Sequence, residues 1–220
     1  MSLRTRGLAE FLGTAGLLII VVGSGIMGES LSQGNAAVAL LANSIATGAG
    51  LYALIQSFGH VSGAHFNPVV SLVEFFWKRL SGRSLAVYAL AQVAGAVVGV
   101  MLTHAMFGQT LLQLSTHDRG ETRLFLSEVV ATFGLLMVIA LSGKQRVEAT
   151  PFAVAGYITA AYWCTSSTSF ANPAVTIARS LTNTFSGILW QGAPGFIVAQ
   201  LIGALLGFWV SRVFYRTQEA

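Results

Sequence analysis

Long apolar runs alternate with short polar stretches along this chain. Runs of about twenty residues are what a helix needs to cross a bilayer. The pattern predicts six such helices, over residues 8–27, 36–58, 84–107, 124–141, 151–165 and 194–214. Two further apolar runs are too short to cross. Each opens on an Asn-Pro pair, Asn67-Pro68-Val69 and Asn172-Pro173-Ala174. Eleven helical residues rise roughly 16 Å, half a crossing. Asn is a favoured helix N-cap and Pro is favoured at the first helical position. Two re-entrant half-helices are therefore expected, over 67–77 and 172–181, with residues 59–66 and 166–171 entering the membrane before them as non-helical backbone.

The pattern repeats. Ala9-Glu10-Phe11-Leu12-Gly13-Thr14 is similar to Ser127-Glu128-Val129-Val130-Ala131-Thr132, and residues 91–99 to 199–207, each an Ala-Gln stretch carrying a GxxxG pair. The Asn-Pro pairs lie 105 residues apart and the Gln residues 108. Three full spans per half is an odd number, so the second half must be inverted in the membrane. The expected fold is an all-α membrane protein: an inverted repeat, about 1–107 and 124–216, within a single transmembrane domain over 1–220. Paired interrupted segments in two such halves point to a transport site at the midplane.

Composition agrees. Hydrophobic residues make up 54% of the 220 and charged ones 9%, against about 25% charged in soluble domains. The net charge of +4 does not imply nucleic acid, because the basic residues sit at helix ends rather than in a patch. Arg4 and Arg6 precede an apolar run as in a signal peptide, but that run has the length of a full span and contains Glu10, so an uncleaved first helix is expected. With both termini cytoplasmic, nine of the twelve basic residues fall inside and only Arg119, Arg123 and Arg179 outside, as the positive-inside rule requires. No long soluble segment is left for an enzyme domain. The one cysteine, Cys164, excludes an internal disulfide and is expected to be a small packing residue.

Candidate chemistry centres on Asn67 and Asn172. Each can cap its own half-helix through the side-chain oxygen and keep its NH₂ to donate into a lumen. The positive helix ends there repel cations and suit water or neutral hydroxylated solutes. Glu10 and Glu128, at equivalent places, could form a proton relay, but no chain of ionisable groups accompanies them. Bracing of the re-entrant loops is the simpler role, shared by His65. His60 and His65 lack the partners of a metal site and suggest loop bracing or a pH-sensitive mouth. The GxxxG pairs indicate close helix packing. Glu74 and Arg179, each seven residues past its Asn, are expected to reach toward opposite mouths, Arg179 as a vestibule residue.

Taken together, the Ala-Glu-Phe-Leu-Gly-Thr opening, His60-Val61-Ser62-Gly63-Ala64-His65-Phe66-Asn67-Pro68, the two Ala-Gln helices and Asn172-Pro173-Ala174 resemble the aquaporin, or major intrinsic protein, family over nearly the whole chain. The resemblance implies six helices plus two half-helices and a homotetramer with one pore per subunit. It departs in two places: the first motif reads Asn-Pro-Val, and the arginine that usually follows the second is Val175. Carrying the family's four filter positions over by spacing gives Thr47, Ala160, Ser169 and Val175, none aromatic and none charged, so a wide, neutral filter is expected. Members without that arginine include bacterial channels associated with arsenic-resistance genes.

The reading is a passive, bidirectional channel for small neutral solutes: glycerol-like polyols, arsenite or methylated arsenicals, urea and some water. Its partners would be those solutes, membrane lipid and its own copies in the cell membrane, without cofactor, metal or nucleic acid. The alternatives are an orthodox water channel and an ion-coupled transporter with broken helices, which would need coupling ions where the midplane offers Asn. An intramembrane enzyme would need a nucleophile–base pair, and Ser166, Ser167 and Ser169 have no evident base.

Overall fold

The computed structural model describes residues 1–216, and over them the chain is helical with connecting turns. In order come α1 (Leu3–Leu31), α2 (Ala36–Ser62), the half-helix α3 (Pro68–Phe76), α4 (Gly82–Met106), α5 (Thr122–Gln145), α6 (Thr150–Cys164), the half-helix α7 (Pro173–Arg179) and α8 (Ala193–Arg216). Polar side chains set several starts: Ser2 caps α1, Asn35 caps α2 and Ser81 caps α4, each accepting from first-turn backbone N–H groups. The side chain of Arg216, expected at the cytoplasmic surface, lies outside the described residues.

Two expectations need correction. Residues 59–62 were expected as non-helical backbone, but α2 continues through Ser62. It stops at Gly63, whose left-handed φ of 93° and N–H bond to the Gly59 carbonyl close the helix. Among the described residues, five helices are long and apolar enough to cross a membrane, and α6 is not among them. Its 15 residues follow directly on a 3₁₀ turn, Val147–Ala149. Turn and helix together rise roughly 28 Å, which nearly completes a crossing.

The packing is pseudo-symmetric. α1 lies on α2 and α4, and α5 lies on α6 and α8. Each half-helix rests against both α4 and α8, while α2 and α6 join the halves. Glycines permit the closest approaches: a Cβ on Gly99 would meet the Ala15 carbonyl oxygen, and one on Gly203 the Val129 carbonyl oxygen. The GxxxG faces are thus used inside the protomer. One apolar core runs through Leu18 and Val22 of α1, Val69 and Val73 of α3, Val100 of α4, Leu136 of α5 and Ala174 of α7. Outward faces are apolar too, with Leu90, Phe152 and Trp209 exposed, as lipid or a neighbouring subunit requires. Cys164 is exposed at the end of α6 rather than packed inside, because the buried face of that helix carries Val154, Ile158, Ala161 and Tyr162.

Candidate functional site

The two half-helices begin side by side. Asn67 accepts the Val69 N–H at 3.0 Å, and Asn172 accepts the N–H groups of Ala174 and Val175 at 3.0 and 3.4 Å. Pro68 and Pro173 stand at the first helical position, where a missing N–H costs nothing. Each Asn amide also crosses to the other half: Asn67 Nδ2 donates to the Ala171 carbonyl at 2.7 Å, and Asn172 Nδ2 to the Phe66 carbonyl at 2.8 Å. An NH₂ has two hydrogens. One ties the halves together, so one remains for the lumen rather than the whole group.

The approach loops are strained in the same way. Gly63, Ala64 and Phe66 have positive φ, as do Thr168, Ser169 and Ala171, at matching offsets before each Asn. Non-glycine residues in that region cost of order 1–3 kcal/mol each and persist only where surroundings impose them. Two buried carboxylates do so here. Glu10 accepts from Ser62 Oγ, His65 N, Phe66 N and Gln92 Nε2 at 2.6–3.0 Å. Glu128 accepts from Phe170 N, Ala171 N and Gln200 Nε2 at 2.7–2.9 Å. Each Gln donates again, Gln92 to Ser71 and Gln200 to Thr176, which pins the half-helix to α4 or α8. His65 Nδ1 stands 3.0 Å from Ser71 Oγ, with the ring edge against Tyr88.

A cavity of about 70 Å³ runs past both Asn side chains. Its wall is largely aliphatic, with Leu17, Val21, Leu51, Ile55, Val70 and Ile158 among the lining residues. Polar groups are few: His65, Asn67, Thr47, Tyr162, Ser169, Asn172 and Arg179. A second cavity of about 700 Å³ is lined by His60, Glu74, Arg79, Lys144 and Glu148. Glu74 faces that vestibule and pairs with Arg79 at 3.5 Å.

Three of the four filter positions, Thr47, Ser169 and Val175, line the narrow cavity. Ala160 does not; it is exposed, and the lumen face of α6 presents Val154, Ile158 and Tyr162 at helical spacing. The lining is therefore neither free of aromatics nor uncharged. The Tyr162 hydroxyl reaches Thr47 Oγ1 at 3.3 Å, and Ser169 Oγ is buried without a hydrogen-bond partner among the described residues. Arg179 is no open vestibule residue. It is 3% exposed, lines the same cavity, lies over the Phe170 ring and donates from Nε to the Ser186 carbonyl.

Tyr162 could have been found from the four-residue spacing of Val154, Ile158 and Tyr162, and Arg179 from its place one turn past Val175. Nothing in the sequence pointed to Arg119. From the α4–α5 connection it reaches the Gly187 and Ser167 carbonyls at 2.9 and 3.3 Å and faces Phe170 at 5.2 Å. Burial lowers its pKa from the ordinary arginine value, and the Glu128 charge opposes the shift.

Comparisons with known proteins agree with this architecture. The sequence model of the family described as Major intrinsic protein matches residues 1–150. The aquaglyceroporin AqpS of Rhizobium meliloti is 52% identical over 203 residues, covering 92% of this chain and 87% of its own length. The aquaporin AqpM of Methanothermobacter marburgensis is 31% identical over 240 residues, covering 94% and 95%. In fold, the X-ray structure of the aquaglyceroporin from Plasmodium falciparum superposes with a TM-score of 0.73 at 19% identity, covering 97% of this chain and 96% of that one. A multi-pass bundle with two facing half-helices and sequence kinship over nine-tenths of its length lead to one statement: the chain belongs to the major intrinsic protein family of membrane channels.

Proposed function

We propose that this protein is a passive, bidirectional channel for small neutral solutes of the glycerol class, with urea, arsenite and water as further permeants. It works as one domain in the cell membrane, both termini cytoplasmic, as a homotetramer. The observation that carries the reading is the pair of Asn amides, each keeping a hydrogen for the lumen at the positive ends of two facing half-helices. A solute crossing there trades water for these donors, while the aliphatic wall offers no partner to an ion. Kinship with a protein called an aquaglyceroporin favours polyols as the main cargo.

Pore width separates this from a second reading, a tighter water channel, which the Thr47–Tyr162 hydrogen bond and the small cavity favour. Stopped-flow swelling of reconstituted vesicles in glycerol, urea and arsenite tests both. Glycerol flux above protein-free vesicles supports the first reading, and water flux alone supports the second. Uphill accumulation driven by an ion gradient would overturn both in favour of a coupled transporter.

A further inference from the structure

We propose that Arg179 serves as the filter arginine of this channel, displaced one helical turn outward from position 175 and seated by Phe170 and Arg119. The inference rests on the channel reading above. Residues four apart share a helix face, and Val175 and Arg179 line the same lumen. The arginine has moved along the pore without leaving it.

Its seat is built from three separate segments. The guanidinium lies 3.4 Å from the centroid of the Phe170 ring, a cation–π contact that holds it flat. Its Nε donates to the Ser186 carbonyl. The next carbonyl along, that of Gly187, accepts from Arg119 Nε, so consecutive carbonyls hold the two arginines beside one aromatic ring. Arg119 also ties down the Ser167 carbonyl on the loop that carries Ser169 and Phe170. It is a positioning residue: it fixes the segments that aim Arg179.

The electrostatics follow from what is missing around the pair. Among the described residues neither arginine forms an ion pair. The buried carboxylate of Glu128 is already occupied by Phe170 N, Ala171 N and Gln200. Arg179 makes one hydrogen bond within the protein among these residues, from Nε, which leaves its terminal amino groups to the lumen. The equivalent position in the first half is Glu74, neutralised by Arg79. The outer end of the pore therefore carries positive charge with no carboxylate paired to it, whereas at the inner end Arg79 and Lys144 share their cavity with Glu74 and Glu148, and cations meet their barrier at the outer end before reaching the Asn pair.

The test compares Arg179→Gln, which keeps an N–H donor without charge, with Arg179→Lys, which keeps charge without the fork. Proton leak is read with an entrapped pH dye and water flux by stopped flow on the same vesicles. The leak-to-water ratio should rise about tenfold or more in Arg179→Gln, since a unit charge a few ångströms away dominates the barrier in a low-dielectric pore. Arg179→Lys should restore most of the exclusion, which a merely structural role would not do. Arg119→Gln should raise the ratio less, and it stands in if Arg179→Gln does not assemble. Wild-type ratios in whichever of the two glutamine variants assemble overturn the proposal. A wild-type protein without water or solute flux overturns the channel reading instead.

Discussion

The hydroxyls of Thr47 and Tyr162 stand 3.3 Å apart at the lumen wall, joining α2 of the first half to α6 of the second. Both side chains are buried, and both line the passage. A solute broader than water must part this pair or pass beside it. Tyr162→Ala should raise glycerol flux relative to water flux by several-fold, with Tyr162→Phe changing the ratio less because only the hydrogen bond is lost. An unchanged ratio in Tyr162→Ala would place the constriction elsewhere.

Val175 tests the same cavity from α7. It is 5% exposed and lines the lumen at the first turn of α7. Val175→Arg should narrow the pore and set a second guanidinium one turn inside Arg179. Water can bond to that group and still pass, whereas glycerol and arsenite should slow far more. The solute-to-water permeability ratio at matched protein content is the measurement, and no change in it would remove Val175 from the filter.

Asn172 has two duties, and Asp can perform only one. The carboxylate can still cap α7, but it cannot donate to the Phe66 carbonyl as the amide does at 2.8 Å. Losing a buried partner costs about 1–3 kcal/mol, and more for a charged group. Asn172→Asp should lower the unfolding temperature and place negative charge in the electropositive midplane. Reduced glycerol flux or a new cation leak is expected. Vesicles with wild-type flux and wild-type ion exclusion would contradict the role assigned to the Asn pair.

Glu10 should be intolerant of Gln despite the matched size. All four of its partners donate, two of them backbone N–H groups of the strained loop. A Gln offers one acceptor oxygen and turns its own NH₂ on the remaining donors. Destabilisation of about 3 kcal/mol or more is expected for Glu10→Gln, seen as a lowered melting temperature in detergent and loss of flux. Wild-type melting would mean that the carboxylate does not brace the loop.

The oligomer can be checked directly. Exposed apolar side chains such as Leu90, Phe152 and Trp209 surround the protomer, while its GxxxG faces are consumed inside. A tetramer by native mass spectrometry in mild detergent is expected, and a fully active monomer would refute it.

The sequence by itself determined what depends on neighbours along the chain. Asn67-Pro68 and Asn172-Pro173 start helices wherever they stand, since capping and the proline φ are local properties. Apolar run lengths separate full crossings from half-crossings, and the repeat of Glu10 with Gln92 in Glu128 with Gln200 announced the inverted halves. The lumen wall was another matter. Counting twelve residues back from Asn172 passes through a non-helical loop whose path the count ignores. Each helical residue turns about 100°, so the two-residue difference between Ala160 and Tyr162 is roughly 200°, nearly the opposite face. Only the packing of α6 against α2 and α5 decided which face turned inward. Likewise Arg179 read as a charge that belongs in water, until the Phe170 ring and the Ser186 carbonyl, brought beside it by the fold, gave a buried guanidinium somewhere to rest.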